Sequence, residues 1–519
     1  MNTIKDRRKD RSGFGQRFCL VILVALLSAC AGPGLHDDIE RPPPSYARPP
    51  ATTGILAEMA DRVRSDDGPE HSGFHLLDAS HESLVWRLAL IDSAVSSLDI
   101  LTYLWYPDVV GALILERAVL AARRGVRVRL VIDDLLTIGL DQTIANLQAE
   151  PNIEMRLFNP WRSRSLGARG GEMIAEMERL NTRMHDKLII ADGNATILGG
   201  RNIGDHYFGL SHDYNFHDLD VLAFGGMAWD ANNMFDHFWN SEWLASAAAL
   251  TTLPDPELAQ TGWQGLQERI RTAEELGSIS REPRDWSGEL SALELELRPG
   301  TGYLVYDEVA ATDVTQNMLA SMFSLFEQAE QELLITNAYI IPGKPAIELL
   351  RQLADRGVDV RILTNSLASH DVPAVNSHYE PWRDDIVATG TALYELRADP
   401  DIQAIVDSPP VSGQFVGLHT KAAVIDARTV FVGSMNLDPR SAAINTEMGA
   451  VIESPELAQD LRTVMLRDMS GENAWRVELS DRGRLQWTND EETVTSQPTR
   501  GFLQNVMNVI FKIVPKEQF

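Results

Sequence analysis

Cysteine is all but missing. The 519-residue chain has two, Cys19 and Cys30, both within the first thirty residues, so the body that follows holds no disulfide, no cysteine-ligated zinc and no thiol nucleophile. Positive charge is scarce: 46 Lys and Arg stand against 74 Asp and Glu, a formal charge of −28. Phosphate backbones are gripped chiefly by exposed Lys and Arg, so a nucleic-acid partner is not expected. Long apolar runs are short supply too. The stretch CLVILVALL at 19–27 has about half of the roughly 20 residues that a membrane-spanning helix needs. No HExxH, cysteine cluster or EF-hand loop occurs, so no metal and no other cofactor is expected. With 44% hydrophobic and 23% charged residues the composition is that of a folded protein rather than a disordered one. The length suits two large domains or three smaller ones.

What is present begins with an export signal. Lys5, Arg7, Arg8, Lys9, Arg11 and Arg17 precede the apolar run, which ends in Leu27-Ser28-Ala29-Cys30; a basic region before a short apolar one is a signal-peptide pattern. Its end resembles a bacterial lipobox, which implies cleavage before Cys30 and lipidation of the thiol, each buried CH₂ adding about 0.8 kcal/mol of membrane affinity. Residues 1–29 carry six basic and two acidic groups, so the mature chain has 40 − 72 = −32. The expected location is a membrane-anchored bacterial lipoprotein on the periplasm-facing cell envelope. Ala31, not Asp, favours the outer membrane by resemblance to sorting rules. The Pro-rich stretch that follows predicts an extended tether rather than a packed element.

The body is duplicated. LDILTYLWYP (98–107) and ARRGVRVRLVIDD (122–134) read like LLITNAYIIP (333–342) and ADRGVDVRILTNS (354–366). Each pair brackets a stretch with apolar residues at three- and four-residue spacing, so each half predicts a strand–helix–strand unit and parallel strands. A stronger match lies in MHDKLIIADGNATILGGRN (184–202) and LHTKAAVIDARTVFVGSMN (418–436). Both fit HxKxxxxDxxxxxxGxxN without a gap. Histidine and lysine two apart on a strand share a face, so His185 with Lys187 and His419 with Lys421 each offer a base and a cation to one space. Asp192 and Asp426 have the opposite parity and sit beside turn residues, which reads as structural. The runs after them predict return strands that bring Asn202 and Asn436 back beside the His/Lys face. Burying lysine beside histidine is costly unless an anion is expected there.

The doubled HxKxxxxD motif resembles the signature of the phospholipase D superfamily, over roughly residues 54–475. RMHDKLIIADG, GGRNIGDHYFG, FHDLDVLAFGG and GSMNLDPRSAAINTEMG are similar to the bacterial cardiolipin synthases of the C type. The resemblance implies an α/β fold of two phospholipase D-like sandwich domains about a pseudo-twofold, with one active site at their interface. It implies a catalytic set of His185, Lys187, Asp192, His419, Lys421 and Asp426, with Asn202, Asn436 and Ser434 on the substrate phosphate. By the same resemblance His185 is favoured as nucleophile and His419 as acid/base, although the symmetry leaves the residues themselves indifferent. Asp218 and Glu447 match the carboxylates that orient the histidines, with Asp220 as a substitute for Asp218. Implied partners are phosphatidylglycerol, phosphatidylethanolamine and the membrane; hydrolysis to phosphatidic acid, a nuclease and a non-catalytic lipid binder stay as alternatives. One departure stands out: GSMN in the second copy is GGRN in the first, so Gly200 lacks the hydroxyl of Ser434 and Arg201 adds a charge.

The expected organisation is a signal peptide (1–29), a lipidated Cys30 with its tether (30–53), a first domain (54–250), an interdomain connection (251–292), a second domain (293–475) and a C-terminal segment (476–519). Trp105 and Tyr106, and the run Tyr379-Glu380-Pro381-Trp382, are candidates for a lipid entrance. The apolar stretch at 500–516 reads as a core-packing helix in preference to an interfacial one.

Overall fold

A computed structural model describes residues 42–164, 166–310, 314–501, 504 and 508. The lipobox-like segment ending at Cys30 and most of the 500–516 stretch lie outside the described residues. Among those described, no helix is long and apolar enough to cross a membrane.

The first half contributes β1 (His71–Leu77), β2 (Ser97–Thr102), β3 (Arg127–Asp133), β4 (Ile153–Phe158), β5 (Leu188–Ala191), β6 (Ala195–Gly199), β7 (Asn215–His217), β8 (Asp220–Gly225) and β9 (Leu244–Ser246). The second contributes β10 (Arg298–Tyr306), a small hairpin β11 (Glu308–Val309) and β12 (Val314–Thr315), then β13 (Glu332–Asn337), β14 (Asp359–Asn365), β15 (Ala392–Leu396), β16 (Val416–Leu418), β17 (Lys421–Ile425), β18 (Thr429–Gly433), β19 (Met448–Glu453), β20 (Ala474–Leu479), β21 (Leu485–Thr488) and β22 (Thr493–Val494).

Apart from β7, β16 and the hairpin, these strands form one sheet of eighteen. Its order shows the duplication: β9-β4-β3-β2-β5-β6-β8-β1 is matched by β20-β15-β14-β13-β17-β18-β19-β10, and the two runs meet where β1 pairs antiparallel with β10. The expected strand–helix–strand units are there. β2 and β3 are parallel across the helix Val109–Arg123, and β13 and β14 across the helix Gly343–Asp355. The latter helix buries Ile347, Leu349, Leu350 and Leu353, the three- and four-residue spacing that makes one apolar face.

A central core is shared between the halves: Phe74, Trp239 and Trp243 from the first lie in one cluster with Leu334, Val424 and Ile452 from the second. Burying apolar area at about 25 cal/mol per Å², this cluster packs strands of both halves, β8 and β17 among them, into one core.

Three expected boundaries shift. Residues 42–53 are no free tether: Ser45 N–H donates to Asn240, Ala47 N–H to Asp236 and Ala51 N–H to the Asp192 carbonyl, while Arg156 donates to the Pro43 carbonyl. Proline lacks a donor yet keeps its acceptor, so a Pro-rich strand can be strapped down by side chains. The connection at 251–292 is built largely onto the first half, whose core takes in Ile270, Trp286 and Leu290. The limit at 475 cuts through β20, because β20–β22 extend the sheet beyond β15.

Candidate active site

The two motif copies meet by crossing over. β7 runs parallel to β16, pairing Asn215–His217 with Val416–Leu418, and the next residues are Asp218 and His419. On the other side Met184 bridges Thr446, and the next residues are His185 and Glu447. The backbone completes both: His419 N–H donates to the His217 carbonyl at 2.8 Å and His185 N–H to the Thr446 carbonyl at 3.0 Å. Each histidine is thereby oriented by a carboxylate from the other half. His185 Nδ1 lies 2.9 Å from Glu447 Oε2, and His419 Nδ1 lies 2.6 Å from Asp218 Oδ2. Holding Nδ1 leaves Nε2 of both rings for the substrate.

Rings fix the imidazoles edgewise, Tyr103 at 5.2 Å from His185 and Tyr207 at 5.2 Å from His419, centroid to centroid. The ammonium of Lys187 lies 5.5 Å from the Tyr103 ring centre and that of Lys421 5.8 Å from that of Tyr339. Each lysine also donates to the carbonyl of the histidine two residues earlier. All four are buried.

Burial, then the nearby lysines, holds His185 well below the ordinary histidine range. His419 is lowered by burial and Lys421 while Asp218 opposes. Burial pushes Lys187 down to about 7 and Lys421 to about 8. The carboxylates diverge. Burial drives Glu447 well above its usual range, against Lys187 and Ser434; Asp218 meets the same burial, but His419 and Lys421 hold it far below. Buried cations with depressed pKa values are stabilised by an arriving anion.

The other expected site residues divide. Asp192 and Asp426 are not at the site: they occupy left-handed turn positions, φ 57° and 51°, seven residues and roughly 20 Å of extended chain from their histidines. Asp192 accepts from the N–H groups of Val95, Ser96 and Ser97, and Asp426 from those of Glu330, Gln331 and Glu332. They pin the entry to β2 and β13. Ser434 is no phosphate ligand either. Its single hydroxyl proton goes to Glu447 Oε2 at 2.5 Å, and its oxygen accepts from Met448 N–H. Asn202 accepts from Leu104 N–H and donates to the Tyr207 hydroxyl, whereas Asn436 keeps a buried Oδ1 without a partner. Asp220 is no substitute for Asp218, since it binds Arg87 and Arg201. Arg201 points into that pair and to the carbonyls of Leu77, Asp78 and Tyr207. Tyr379 and Trp382 belong to the second-half core, Tyr379 donating to Glu395, and not to an entrance. Among the described residues no group of His, Cys, Asp or Glu is clustered as metal ligands.

His217, outside the motif and read as a structural histidine, is indeed a buried one, 2.7 Å from Asp468 through Nε2; what sequence reading missed are the rings of Tyr103, Tyr207 and Tyr339. Two of the tyrosines stand in the duplicated segments, where their recurrence beside the motif strand was the available signal.

Comparison with known proteins agrees with this architecture. The family described as "Cardiolipin synthase, PLD-like domain" matches residues 88–239 and again 322–469. Cardiolipin synthase C of Escherichia coli (strain K12) is 33% identical over 463 residues, 86% of this chain and 96% of that one. Cardiolipin synthase B of the same strain is 25% identical over 374 residues, 72% and 74% of the two chains. Among solved structures, phosphatidylserine synthase of Haemophilus influenzae Rd KW20 shares the fold with a TM-score of 0.50 at 13% identity, over 76% of this chain and 86% of that one.

Proposed function

This chain belongs to the phospholipase D superfamily, in the cardiolipin-synthase family of PLD-like domains, and we propose that it is a phosphatidyltransferase that makes cardiolipin. The observation that carries this reading is the crossed site: two buried histidines, each held by the opposite half's carboxylate, with two lysines beside them.

A phosphodiester needs a nucleophile, a proton donor for the departing alkoxide and cations around the phosphoryl oxygens. His185, held neutral by burial, presents its Nε2 lone pair to phosphorus and forms the phosphohistidine. His419, backed by the ionised Asp218, protonates the departing alcohol. It then takes the proton of the incoming hydroxyl, which attacks phosphorus and frees His185. Lys187, Lys421 and Asn436 hold the oxygens, and Glu447 with Ser434 keeps His185 in place. Phosphatidylglycerol is the acceptor, through its free glycerol hydroxyl; the donor is phosphatidylethanolamine or a second phosphatidylglycerol. Transfer outruns hydrolysis where the site positions a lipid hydroxyl better than water, since orientation is worth several kcal/mol. A charge of −32 on the mature chain weighs against nucleic acid as substrate.

The anchor is part of the proposal: lipidated Cys30 holds the enzyme at the periplasm-facing envelope. Cys30→Ala should leave unprocessed or mislocalised protein, and no incorporation of labelled fatty acid into the natural chain would remove this claim. The reaction itself is tested by supplying purified protein with phosphatidylglycerol, phosphatidylethanolamine or both and weighing the products. Cardiolipin is expected; phosphatidic acid alone in every mixture would make the enzyme a phospholipase, and DNA cleavage without lipid turnover a nuclease.

A further inference from the structure

The first half carries a mostly apolar cavity of about 460 Å³. Leu130 and Ile132 of β3 form its floor, and Trp263 and Leu266 of the helix Pro256–Thr272 its roof. The two halves differ in what builds it. After β9 the chain builds that helix, whereas after the equivalent β20 it continues into β21 and β22.

Three features say what the space suits. The charged groups at its edge are engaged elsewhere, Glu150 with Arg123 and Arg269 with the Pro107 carbonyl, so no free charge converges on it and a polar ligand is disfavoured. Its roof helix contains Gly262 and Gly265, poor helix formers, although a Cβ at either would meet nothing within 4 Å. The fold's own packing does not call for them, and both line the mouth, which they leave open. Leu136 and Leu258, partly exposed, stand at that mouth. The cavity wall is also continuous along the chain with residues that touch the catalytic centre. Trp105 and Tyr106 in its wall follow directly on Tyr103, which abuts His185, and Leu104, which holds Asn202.

We infer that this cavity seats one acyl chain of the phospholipid whose phosphate lies between His185 and His419. Its volume, roughly fifteen groups of water's size at about 30 Å³ each, is on the scale of one fatty chain. The inference rests on the phospholipid reading given above and adds the place where the substrate's tail goes.

The test is fluorescence quenching of the full-length protein by brominated palmitate, which reports on Trp105 and Trp263 without turnover. Saturable quenching is expected. It should disappear with Trp105→Phe/Trp263→Phe, weaken at least tenfold in affinity with Gly262→Leu/Gly265→Leu, and stay unchanged with Gln264→Leu on the same helix. In turnover, the doubly substituted glycine variant should lose at least fivefold in rate on long-chain phosphatidylglycerol relative to its six-carbon analogue. Absent quenching, or quenching that the glycine substitutions leave intact, overturns the acyl site while lipid turnover stands. Saturable quenching sensitive to those substitutions in a protein that turns over no phospholipid keeps the apolar site and overturns the function.

Discussion

At position 200 there is no room for a side chain: a Cβ would stand 2.2 Å from Asp218 Oδ1. Gly200→Ser would give both copies a GSxN end, yet it should push Asp218 off His419 and lower kcat by about 10²-fold or more, the range of a lost acid/base, with circular dichroism unchanged. Ser434→Ala deletes a donor to Glu447 and an acceptor for Met448 N–H, and should cost about 1–3 kcal/mol in denaturant stability with a smaller loss of kcat. The lysines set a pH limit. In the proposed mechanism protonated Lys187 and Lys421 hold the anion, and kcat/KM reports the free enzyme, so it should fall as pH rises through about 7 and about 8; a flat profile to pH 9 would remove them from phosphate binding. The histidines, lysines and asparagines were legible because a fixed spacing on two strands carries them. Ser434 was not, because its partner Glu447 is brought alongside only by the pairing of Gly433 with Gly449.

The aspartate of each motif copy serves a turn and the start of a strand rather than the chemistry, as its parity implied. Asp192→Ala should leave activity largely intact at low temperature while lowering Tm, since it strips acceptors from three backbone N–H groups. Asp426→Ala should cost less, because two of its three donors are exposed. Thermal melts and assays on both variants check this, and loss of turnover without loss of stability would return the aspartates to catalysis. The strand–helix–strand units were readable from apolar spacing alone. The two crossings were not: β7 with β16 joins Asp218 to His419 across 201 positions, and the Met184–Thr446 bridge joins His185 to Glu447 across 262, and three-residue strands such as β7 carry too few side chains to show a period. The same limit hid the packing of the 42–53 strap, whose hydrogen bonds are made by Asp236, Asn240 and Arg156 from distant elements.

The molecule works only as a whole. The continuous sheet means that either half alone would bare β1 or β10 as an unpaired edge, a template for aggregation, and would hold a histidine without its carboxylate. Fragments 30–292 and 293–519 expressed apart should be inactive and poorly soluble, and expressed together should recover part of the turnover; activity from one fragment alone would contradict a shared site. The twofold arrangement itself was legible from the repeated segments. The joining of both halves into one sheet was not, because it depends on β10, whose sequence RPGTGYLVY has glycines where a paired strand would show apolar alternation.

The strap sets a distance. It is fastened beside Asp192 and Ser96, at the end of β2 and β5 away from the histidines, while Cys30 lies 42 − 30 = 12 residues before its first described residue. Twelve residues reach at most about 40 Å. On the proposed lipidation of Cys30, that length bounds how far the described body can stand from the bilayer. Deleting six residues between 31 and 41 should suppress turnover of lipid in membranes and spare turnover of lipid dispersed in detergent: the length of the mooring, and not the chemistry, would then decide which molecules the enzyme can touch.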